Sequence, residues 1–529
     1  MIRNILSCPQ KVFAGLAVSA ACLAIPAWAE SQPSHGDMNR HEQVLTQIQQ
    51  GAVALNKESF VHLVLLRNPE VLVSAEQKKI AEAQLQHDRA AYEMEFFSIL
   101  RADERKTENN PLAPNDTTID RNGRFQFGVR TLVVSGAEVS VEYEGHKRYN
   151  NTSSVNDPTG INDNVGSLNF RIRQPILRGF GAAQIENRIA QSEKQIEIRK
   201  QETQQQILSK SYDALSLYWR LYRAEQMKAL NADSLKNANN ILTDIERRVQ
   251  AGRLPQTAMT EARSTLLLRQ AESFVVERGY EQVKSAIKGV LNLSANEYQH
   301  VVFQTTSEPD TTAWQQPESF QTYFEQVLSV WPNYGIAIER IALEEHSLAI
   351  ARDELRPKLD FVAGYGQSSL RYDERYGRTF EEAFSERYPN WYAGVEFSIP
   401  LGGNQSARSK ESIALSRITQ NQYQAEAVKV DLSNQLQLRL AQVDQAYQEL
   451  DRHRQNTTVL KELLEIERER FDRGVARYID MIEREDNLNV GIIRMVDAEI
   501  QYELAKISLQ LSDGSLLQEL GIQFDVEAL

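Results

Sequence analysis

The sequence predicts a mainly α-helical fold with a transmembrane β portion, built from tandem duplicated helix–strand–strand–helix units. Two stretches without proline, 176–254 and 401–529, predict very long helices because proline disrupts helix interiors. Short stretches that precede them alternate apolar and polar residues, which is typical of strands whose two faces meet different surroundings. Matching motifs also recur at nearly constant separations, which indicates that the unit is duplicated.

The N-terminus has the three parts of a secretory signal peptide, predicted to cover 1–29. Arg3 and Lys11 provide the positive charge, an apolar run covers 12–25, and an Ala-x-Ala cleavage motif ends at Ala29. We therefore expect the mature chain to be exported across the inner membrane of a bacterium.

Both cysteines, Cys8 and Cys22, lie inside this signal peptide. The mature chain therefore has no residues for disulfides or thiolate metal sites. A weaker alternative makes Cys22 the acylated residue of a lipoprotein, although leucine is missing three residues before it and an apolar stretch follows. Removing Arg3 and Lys11 changes the formal charge from −13 to about −15, and this acidic balance disfavours nucleic acid as a partner.

The clearest strand and the longest helix adjoin one another near Pro400. Residues 391–399 alternate between apolar and polar side chains. The apolar positions of this strand are Trp391, Ala393, Val395, Phe397 and Ile399. After Pro400 the spacing of apolar residues becomes three and four, which predicts a helix from Ser406 to about Arg473. Such a helix has roughly 65 residues and a length of about 100 Å, whereas ordinary helices average about 11–12 residues.

Three pairs of motifs indicate the duplication. Pro175 matches Pro400, Gly252 matches Gly474, and Pro69 matches Pro332. The sequence therefore divides into a first structural repeat, 30–306, and a second structural repeat, 307–529. The strand regions are predicted at about 96–175 and 358–400, and the long helices at about 180–290 and 404–511.

The first repeat has four candidate strands, whereas the second has two, at about 358–367 and 391–399. The apolar positions of the four are Phe97 and Ile99, then Phe125, Phe127 and Val129, then Val139, Val141 and Tyr143, and finally Leu168, Phe170 and Ile172. The opposite faces have Arg124, Gln126, Arg130, Glu138, Glu142, Asn169, Arg171 and Arg173. The motif separations of 263 residues before the strands and 225 after them differ by 38, which is the size of one extra hairpin.

Strands that are apolar on one face and charged on the other fit a transmembrane β-barrel with a wet lumen. Aromatic residues at the strand ends suit a membrane interface, namely Trp391, Tyr392, Tyr365 and Tyr143. Backbone polar groups in lipid must be paired, so the barrel must close, and four to six strands cannot close alone. We therefore expect an oligomer in which each subunit contributes part of the wall. A soluble sandwich with one buried face is the alternative for any single strand.

The order of elements resembles the TolC family of outer-membrane efflux and secretion channel proteins. The motifs that resemble it are the junctions at 174–179 and 399–403, and the turn at 470–474 followed by Asp480-Met481-Ile482-Glu483. The resemblance implies a homotrimer whose shared β-barrel in the outer membrane is continuous with a long α-helical barrel in the periplasm. It also implies a periplasmic adaptor (membrane fusion) protein and an inner-membrane pump as partners. The extra hairpin would then either enlarge the barrel from twelve to eighteen strands per trimer or fold outside it.

The resemblance also implies a periplasmic gate at Asp480 and Glu483, with Arg477 beside it. The two acids lie three residues apart on one helix face, so three copies would form two stacked carboxylate rings that attract cations. The alternative is a solvated helix start, where acids are favourable in any case. Two departures from the family pattern occur here, since Ala258 stands at the position of Asp480 in the first repeat and Arg477 is shifted by one residue.

Six residues are predicted at the connections between elements. Four lie where the barrel joins the helices, and two are glycines in the turns at the tip. The predicted barrel-to-helix junctions are Pro175, Gly179, Pro400 and Gly402, and the predicted tip turns are Gly252 and Gly474.

The function predicted from the sequence is passive conduction from the adaptor and pump to the exterior, in efflux or type I secretion. No catalytic constellation is recognisable, and the scattered histidines form no helix-spaced ligand pair, so neither an enzyme nor a cofactor is expected. Two alternatives remain, namely a soluble periplasmic coiled-coil adaptor or scaffold, and an exported enzyme.

Overall fold

The computed structural model describes residues 52–108, 117–151, 161–293, 301–371 and 388–521. These residues belong to one compact unit, 47–529. The predicted signal peptide and Cys22 lie outside the described residues.

The elements follow the duplicated order along the chain. Those of the first half are β1 (Ala52–Leu55), α1 (Lys57–Arg67), α2 (Pro69–Arg89), β2 (Glu95–Glu108), β3 (Thr117–Leu132), β4 (Glu138–Asn150), β5 (Ile161–Pro175), α3 (Ala183–Gln250) and α4 (Gln256–Val290). Those of the second half are β6 (Val302–Thr305), α5 (Phe320–Val330), α6 (Pro332–Leu355), β7 (Lys358–Arg371), β8 (Pro389–Ser398), α7 (Gln405–Asp472), α8 (Tyr478–Asp513) and α9 (Leu516–Glu519).

The two long helices, α3 and α7, have the same length of 68 residues. Each spans about 100 Å at 1.5 Å per residue. The returning helices α4 and α8 have 35 and 36 residues, and α1 and α5 have 11 each. The long helices that the proline-free stretches predicted are therefore present, whereas the repeat boundaries at 30, 306 and 307 stay a prediction. None of the helices in the described part combines the length and the apolar character needed to cross a bilayer.

Local sequence explains where the helices begin and end. Pro69 and Pro332 occupy the first turn of α2 and α6, where their missing N–H groups cost nothing. The side chain of Asn68 accepts a hydrogen bond from the backbone N–H of Glu70 at 2.9 Å and caps α2. Both helices therefore begin at their proline, and only α2 gains a side-chain cap at this end.

The turns after α3 and α7 have one geometry. Gly252 and Gly474 adopt φ values of 72° and 76°, which residues other than glycine rarely adopt. The backbone N–H of Gly252 bonds to the carbonyl of Val249 at 2.9 Å, and that of Gly474 bonds to Phe471 at 2.9 Å. With the bond that follows each of them, these contacts form the Schellman ending of a helix.

The helices pack side by side along their lengths. α3 contacts α2, α4, α6 and α8, while α7 contacts α6 and α8. The apolar stripe predicted on α7 is buried, with Leu432, Leu436 and Leu450 each 0% exposed. These residues pack against α5 and against Tyr502 of α8, so the stripe joins the long helix to its neighbours.

The six long strands among the described residues form one antiparallel sheet in the order β2-β3-β4-β5-β7-β8. The four strands predicted in the first half and the two predicted in the second half are therefore present. β5 and β7 are neighbours, so they join the two halves of the sheet. β1 and β6 form a separate parallel pair beside the helices.

The strand register separates an apolar face from a polar face. One row across the apolar face consists of Phe96, Val129, Val141, Phe170, Tyr365 and Trp391. Side chains directly opposite each other on neighbouring strands share a face. The polar face consequently carries the charged positions next in sequence, which agrees with the faces predicted for β3, β4, β5 and β8.

The prediction for β2 was wrong by one residue. Phe97 lies opposite Gly128 and Ile99 lies opposite Gln126, on the polar face, whereas Phe96 and Leu100 lie on the apolar face. The guanidinium of Arg130 stacks over the Phe97 ring at 5.6 Å from its centroid, which covers this apolar ring on the polar side. Sequence alternation alone could not set the register because both 96 and 97 are phenylalanine.

The turn between β3 and β4, residues 133–137, docks on the chain that leads into α3. The carbonyl of Ser135 accepts hydrogen bonds from the backbone N–H of Gly181 and from the side chain of Gln174, both at 2.9 Å. Gly136 has a φ of 83°, and a Cβ there would lie 2.6 Å from the carbonyl oxygen of Gly179. The turn therefore requires glycine at this position.

We expect Gly136→Ala to lower the free energy of unfolding by at least about 1–2 kcal/mol, the cost of a left-handed alanine. The matched control is Gly123→Ala in β3, where an added Cβ would have its nearest neighbour at 3.8 Å. Thermal unfolding of the purified protein in detergent measures both variants. Equal losses from the two alanines would contradict the docking of this turn.

Candidate functional site

The polar face of the sheet has buried and paired charges. Glu142 of β4 is only 3% exposed, and it forms an ion pair with Arg171 of β5. The side-chain amide of Gln126 on β3 donates to the same carboxylate at 2.9 Å. Because a buried carboxylate is costly unless it is paired, this contact fixes the register of β3, β4 and β5.

A second group of charges lies where the two halves of the sheet meet. Arg173 of β5 contacts Asp360 of β7 at 3.2 Å and Glu396 of β8 at 2.8 Å. The ammonium of Lys358 lies 3.3 Å from the carboxylate of Asp360, which is 1% exposed. This group therefore joins strands from both repeats by charge.

The opposite face of the sheet exposes large apolar side chains. On β8, Trp391 is 76% exposed and Phe397 is 62% exposed, and on β2 Leu100 is 81% exposed. Large contiguous apolar patches on a folded chain indicate a surface that another apolar phase or partner covers. One face of this sheet thus suits lipid and the other suits water.

The predicted junction residues lie between the sheet and the long helices. Pro175 ends β5 and Pro400 follows β8. Gly179 has a φ of 82°, and its backbone N–H donates to both carboxylate oxygens of Asp353, at 3.1 and 2.9 Å. Asp353 lies in the last turn of α6 and is 4% exposed, so this bond joins the junction of the first half to a helix of the second half.

The junction of the second half uses left-handed backbone at two consecutive positions. Gly403 and Asn404 have φ values of 76° and 50°, and they follow the predicted residue Gly402 directly. In the first half Gly181 and Ala182 take the same places, with φ values of 65° and 50°. Both long helices therefore begin from the same backbone conformation.

The ends of α3, α4, α7 and α8 form an apolar cluster, which we call the tip cluster. Its buried members are Ile245, Ala258, Ala262, Leu464, Phe471, Tyr478, Met481 and Ile482. The cluster lies next to the two Schellman turns. Ala258, which stands where Asp480 stands in the second repeat, is buried in it, so an acid would not fit there.

Polar contacts join the two helix pairs near this cluster. Arg248 of α3 lies 3.4 Å from Asp472 and stacks over Phe471 at 5.0 Å from the ring centroid. Arg269 of α4, whose side chain is 10% exposed, forms an ion pair with Asp486 of α8. Any movement of α7 and α8 away from α3 and α4 would break these contacts.

The predicted gate residues lie at the start of α8. Arg477 is the residue before the first turn, and its guanidinium donates to Asp480 at 3.2 and 2.7 Å. These hydrogen bonds lower the pKa of Asp480 below its usual value. The carboxylate also accepts the backbone N–H of Arg477 at 3.2 Å, while Glu483 is exposed one turn further on. The structure thus brings Arg477 and Asp480 together and leaves Glu483 open to solvent.

Sequence reasoning missed a group of charges that ties the inter-repeat segment to α8. The ammonium of Lys506 lies 3.0 Å from Asp310 and 2.8 Å from Glu503. Burial raises the pKa of Asp310, but the hydrogen bonds from Thr312 and the contact with Lys506 outweigh it and hold the pKa at about 2. The spacing of Glu503 and Lys506 on one helix face was the available signal, but the sequence does not place Asp310 beside them.

The sequence of the second half matches a known family. Residues 337–515 match the model of the family described as outer membrane efflux protein. No curated protein matches the sequence significantly.

Solved structures match the fold over most of the chain. A membrane protein from Pseudomonas aeruginosa has a TM-score of 0.63 at 15% identity, covering 87% of this chain and 93% of that one. The outer-membrane channel CmeC of Campylobacter jejuni has a TM-score of 0.62 at 14% identity, with 93% and 90% covered. The outer-membrane protein VceC of Vibrio cholerae has a TM-score of 0.59 at 13% identity, with 91% and 99% covered.

At these identities the structural likeness establishes the fold, whereas the family match carries the sequence relationship. The family description also confirms the predicted outer-membrane location. The predicted resemblance to the TolC family of outer-membrane channels is therefore confirmed, by sequence over 337–515 and by fold over most of the chain.

Proposed function

We propose that the protein is a passive outer-membrane channel, which conducts substrates from a periplasmic adaptor and an inner-membrane pump to the exterior. One observation supports this most strongly. A six-stranded sheet with an exposed apolar face and a charged face continues directly into two helices of 68 residues. Lipid can cover the first face while water fills the space beside the second, and the helices extend the water-filled path into the periplasm.

The functional unit is a homotrimer. Apolar side chains on the outer surface of α4 are exposed at heptad-like spacing, namely Leu267, Leu268, Phe274 and Val275. The outer surface of α7 exposes Leu438, Val459, Leu463 and Ile466 in the same manner. α4 and α7 lie on opposite sides of the four-helix layer, so α7 of one subunit can cover α4 of the next. Closing the ring buries both stripes.

The chain's part in transport is conduction and not catalysis, and the pump supplies the energy. Residues 337–515 match the family described as outer membrane efflux protein, which supports this assignment. Both efflux and type I secretion would use the same passive path.

The work of the channel itself is the opening of its tip. The tip cluster and the contacts of Arg248 and Arg269 hold α7 and α8 against α3 and α4, which corresponds to a closed end. The carboxylates of Asp480 and Glu483 lie beside this cluster, where cations would bind. Both oxygens of Asp480 accept hydrogen bonds from Arg477, so a cation at Asp480 would compete with that guanidinium, whereas Glu483 is exposed.

A soluble coiled-coil adaptor or scaffold is the second candidate, and the four long helices favour it. The exposed apolar face of the sheet favours the channel instead, since Trp391 and Phe397 would remain in water in a soluble protein. Extraction separates the two candidates. A channel stays in the membrane fraction until detergent is added, whereas an adaptor without an anchor appears in the aqueous extract.

Conductance of the purified oligomer in a planar lipid bilayer tests the proposed function. We expect discrete single-channel conductance steps. The conductance should increase when the contacts that hold the helix pairs together at the tip cluster are removed. Protein that remains monomeric in detergent and gives no conductance would overturn the proposal.

We expect the double variant Asp480→Asn and Glu483→Gln to weaken block of this conductance by divalent cations at least about ten-fold in the blocking concentration, the effect of about 1.4 kcal/mol. The amides keep the size of both side chains and leave an oxygen to accept the N–H of Arg477. Glu426→Gln, at an exposed site on α7, is the control for a change in charge. Unchanged block in the double variant would show that these acids only begin the helix.

We expect Arg269→Gln to raise the ratio of open to closed channels about five-fold for each ion pair between Arg269 and Asp486 that is lost. This factor corresponds to about 1 kcal/mol for one ion pair. Its physical reason is the loss of the ion pair between α4 and α8. The control Arg263→Gln removes an exposed charge from the same helix. Single-channel recordings measure the ratio, and equal behaviour of both variants would contradict a latch at Arg269.

A further inference from the structure

We propose that β8 of one subunit pairs with β2 of the next, and that the trimer closes an eighteen-stranded barrel. This inference rests on the proposed trimeric channel and specifies its wall. It assigns the two free edges of the sheet to a second copy of this chain. The extra hairpin of the first half is then part of the wall and does not lie outside it.

The hairpin is built into the sheet along its whole length. β2 pairs with β3 from Glu95–Arg130 to Glu108–Thr117, and β3 pairs with β4 from Asp120–Asn150 to Leu132–Glu138. Ion pairs cross from β2 to β3 at both ends, between Arg130 and Glu95 at 2.7 Å and between Arg121 and Glu104 at 2.6 Å. A hairpin outside the barrel would have to break the ladder between β3 and β4.

The turn at 133–137 holds the hairpin at the level of the other strands. Its contacts with Gln174 and Gly181 attach it to the junction that leads into α3. β3 and β4 therefore end at the same level as β5, where the barrel meets the helices. This is the position that a pair of wall strands must have.

The two edges of the sheet are complementary in direction. β2 leaves α2 and runs away from the helices, and β8 returns toward α7. When three copies are placed edge to edge, neighbouring strands are therefore antiparallel throughout the barrel, including at the seams between subunits. Unpaired backbone groups cannot face lipid, so each edge requires such a partner.

The faces restrict how the seam can pair. On β2 the apolar face has even-numbered residues such as Phe96 and Leu100, whereas on β8 it has odd-numbered residues such as Ala393 and Phe397. Each pair across the seam must therefore join an even position of β2 to an odd position of β8. Half of all registers are excluded, because they would put apolar side chains into the lumen.

The stagger of the sheet selects one of the remaining registers. Phe96 of β2 and Phe397 of β8 both lie at the end of the sheet that is nearest to the helices. The hydrogen-bonded row that begins at Phe96, however, reaches β8 at Trp391, six residues before Phe397. Pairing Phe397 with Phe96 of the next subunit therefore gives a shear of six residues for six strands. A barrel whose shear equals its strand number has a tilt of about 36°, within the usual range of about 35–45°.

An eighteen-stranded barrel is wider than the twelve-stranded barrel that a trimer would form from β4, β5, β7 and β8 alone. With strands about 4.8 Å apart and tilted by about 36°, eighteen strands give a diameter of about 34 Å, against about 23 Å for twelve. Barrels of 16–18 strands enclose an aqueous channel. The barrel thus sets no narrow limit on the size of the cargo, and the tip is left to select it.

Cysteine cross-linking tests the seam, because both cysteines of the sequence lie in the predicted signal peptide. In the proposed register Leu100 lies opposite Ala393 of the next subunit. Within one subunit these residues are five strand spacings apart, about 24 Å, far beyond the reach of a disulfide. We expect the variant Leu100→Cys with Ala393→Cys to form disulfide-linked dimers and trimers on oxidation in the membrane.

Two further pairs make the result decisive. Leu100→Cys with Gly394→Cys places the thiols on opposite faces and should give at most one tenth of the cross-linking, about 1.4 kcal/mol of preference. Val141→Cys with Val395→Cys would link subunits only in a twelve-stranded barrel, where β4 forms the edge and the shear is four residues for four strands. Efficient cross-linking of this pair would overturn the proposal.

Electron cryomicroscopy of the purified, unsubstituted trimer provides the second measurement. Eighteen strands in the barrel would support the seam even if the cysteine variants fail to fold, and twelve strands would overturn it. The trimeric channel itself would survive that second outcome. A monomer in detergent would instead overturn the proposed function.

Discussion

Pairing of backbone hydrogen bonds in the sheet is the constraint on which the rest of this structure depends. In lipid each strand must have a partner on both sides, because no water is available to its N–H and C=O groups. In the described part of the chain six strands pair with one another, and β2 and β8 form the two edges. The exposed apolar face and the two edges of the described sheet therefore both support the proposed trimer.

Charge pairs on the polar face align the strands that the backbone connects. Glu142 and Arg171 join β4 to β5, and Arg173 joins β5 to β7 and β8 through Asp360 and Glu396. A slip of one residue would turn these charges toward the apolar side, where their cost would be several kcal/mol each. The pairs thus contribute to specificity of register more than to net stability.

The helical part transmits this geometry away from the sheet. Asp353 connects the end of α6 to the start of α3 through Gly179, and the two long helices then keep equal lengths to their glycine turns. Equal lengths bring Phe471, Tyr478 and Ile245 to one level, where the tip cluster forms. The position of the tip cluster therefore follows from the equal lengths of the two long helices.

The sequence by itself determined the elements whose signals are local. Missing prolines defined α3 and α7, the glycines at 252 and 474 defined the turns, and alternation gave the correct face for four of the five strands to which it was applied. It also determined the duplication, since matching motifs need no knowledge of contacts. These features depend on backbone preferences of single residues and their near neighbours.

Only the tertiary structure decided what depends on partners distant in the chain. The pair β1–β6 joins Ala52 to Val302, and strands of four residues carry too little local signal to be recognised. The register that moves Phe97 to the polar face, the docking of the β3–β4 turn and the link from Arg269 to Asp486 are of the same kind. Each is set by which surface arrives opposite a residue, and sequence periodicity does not contain that information.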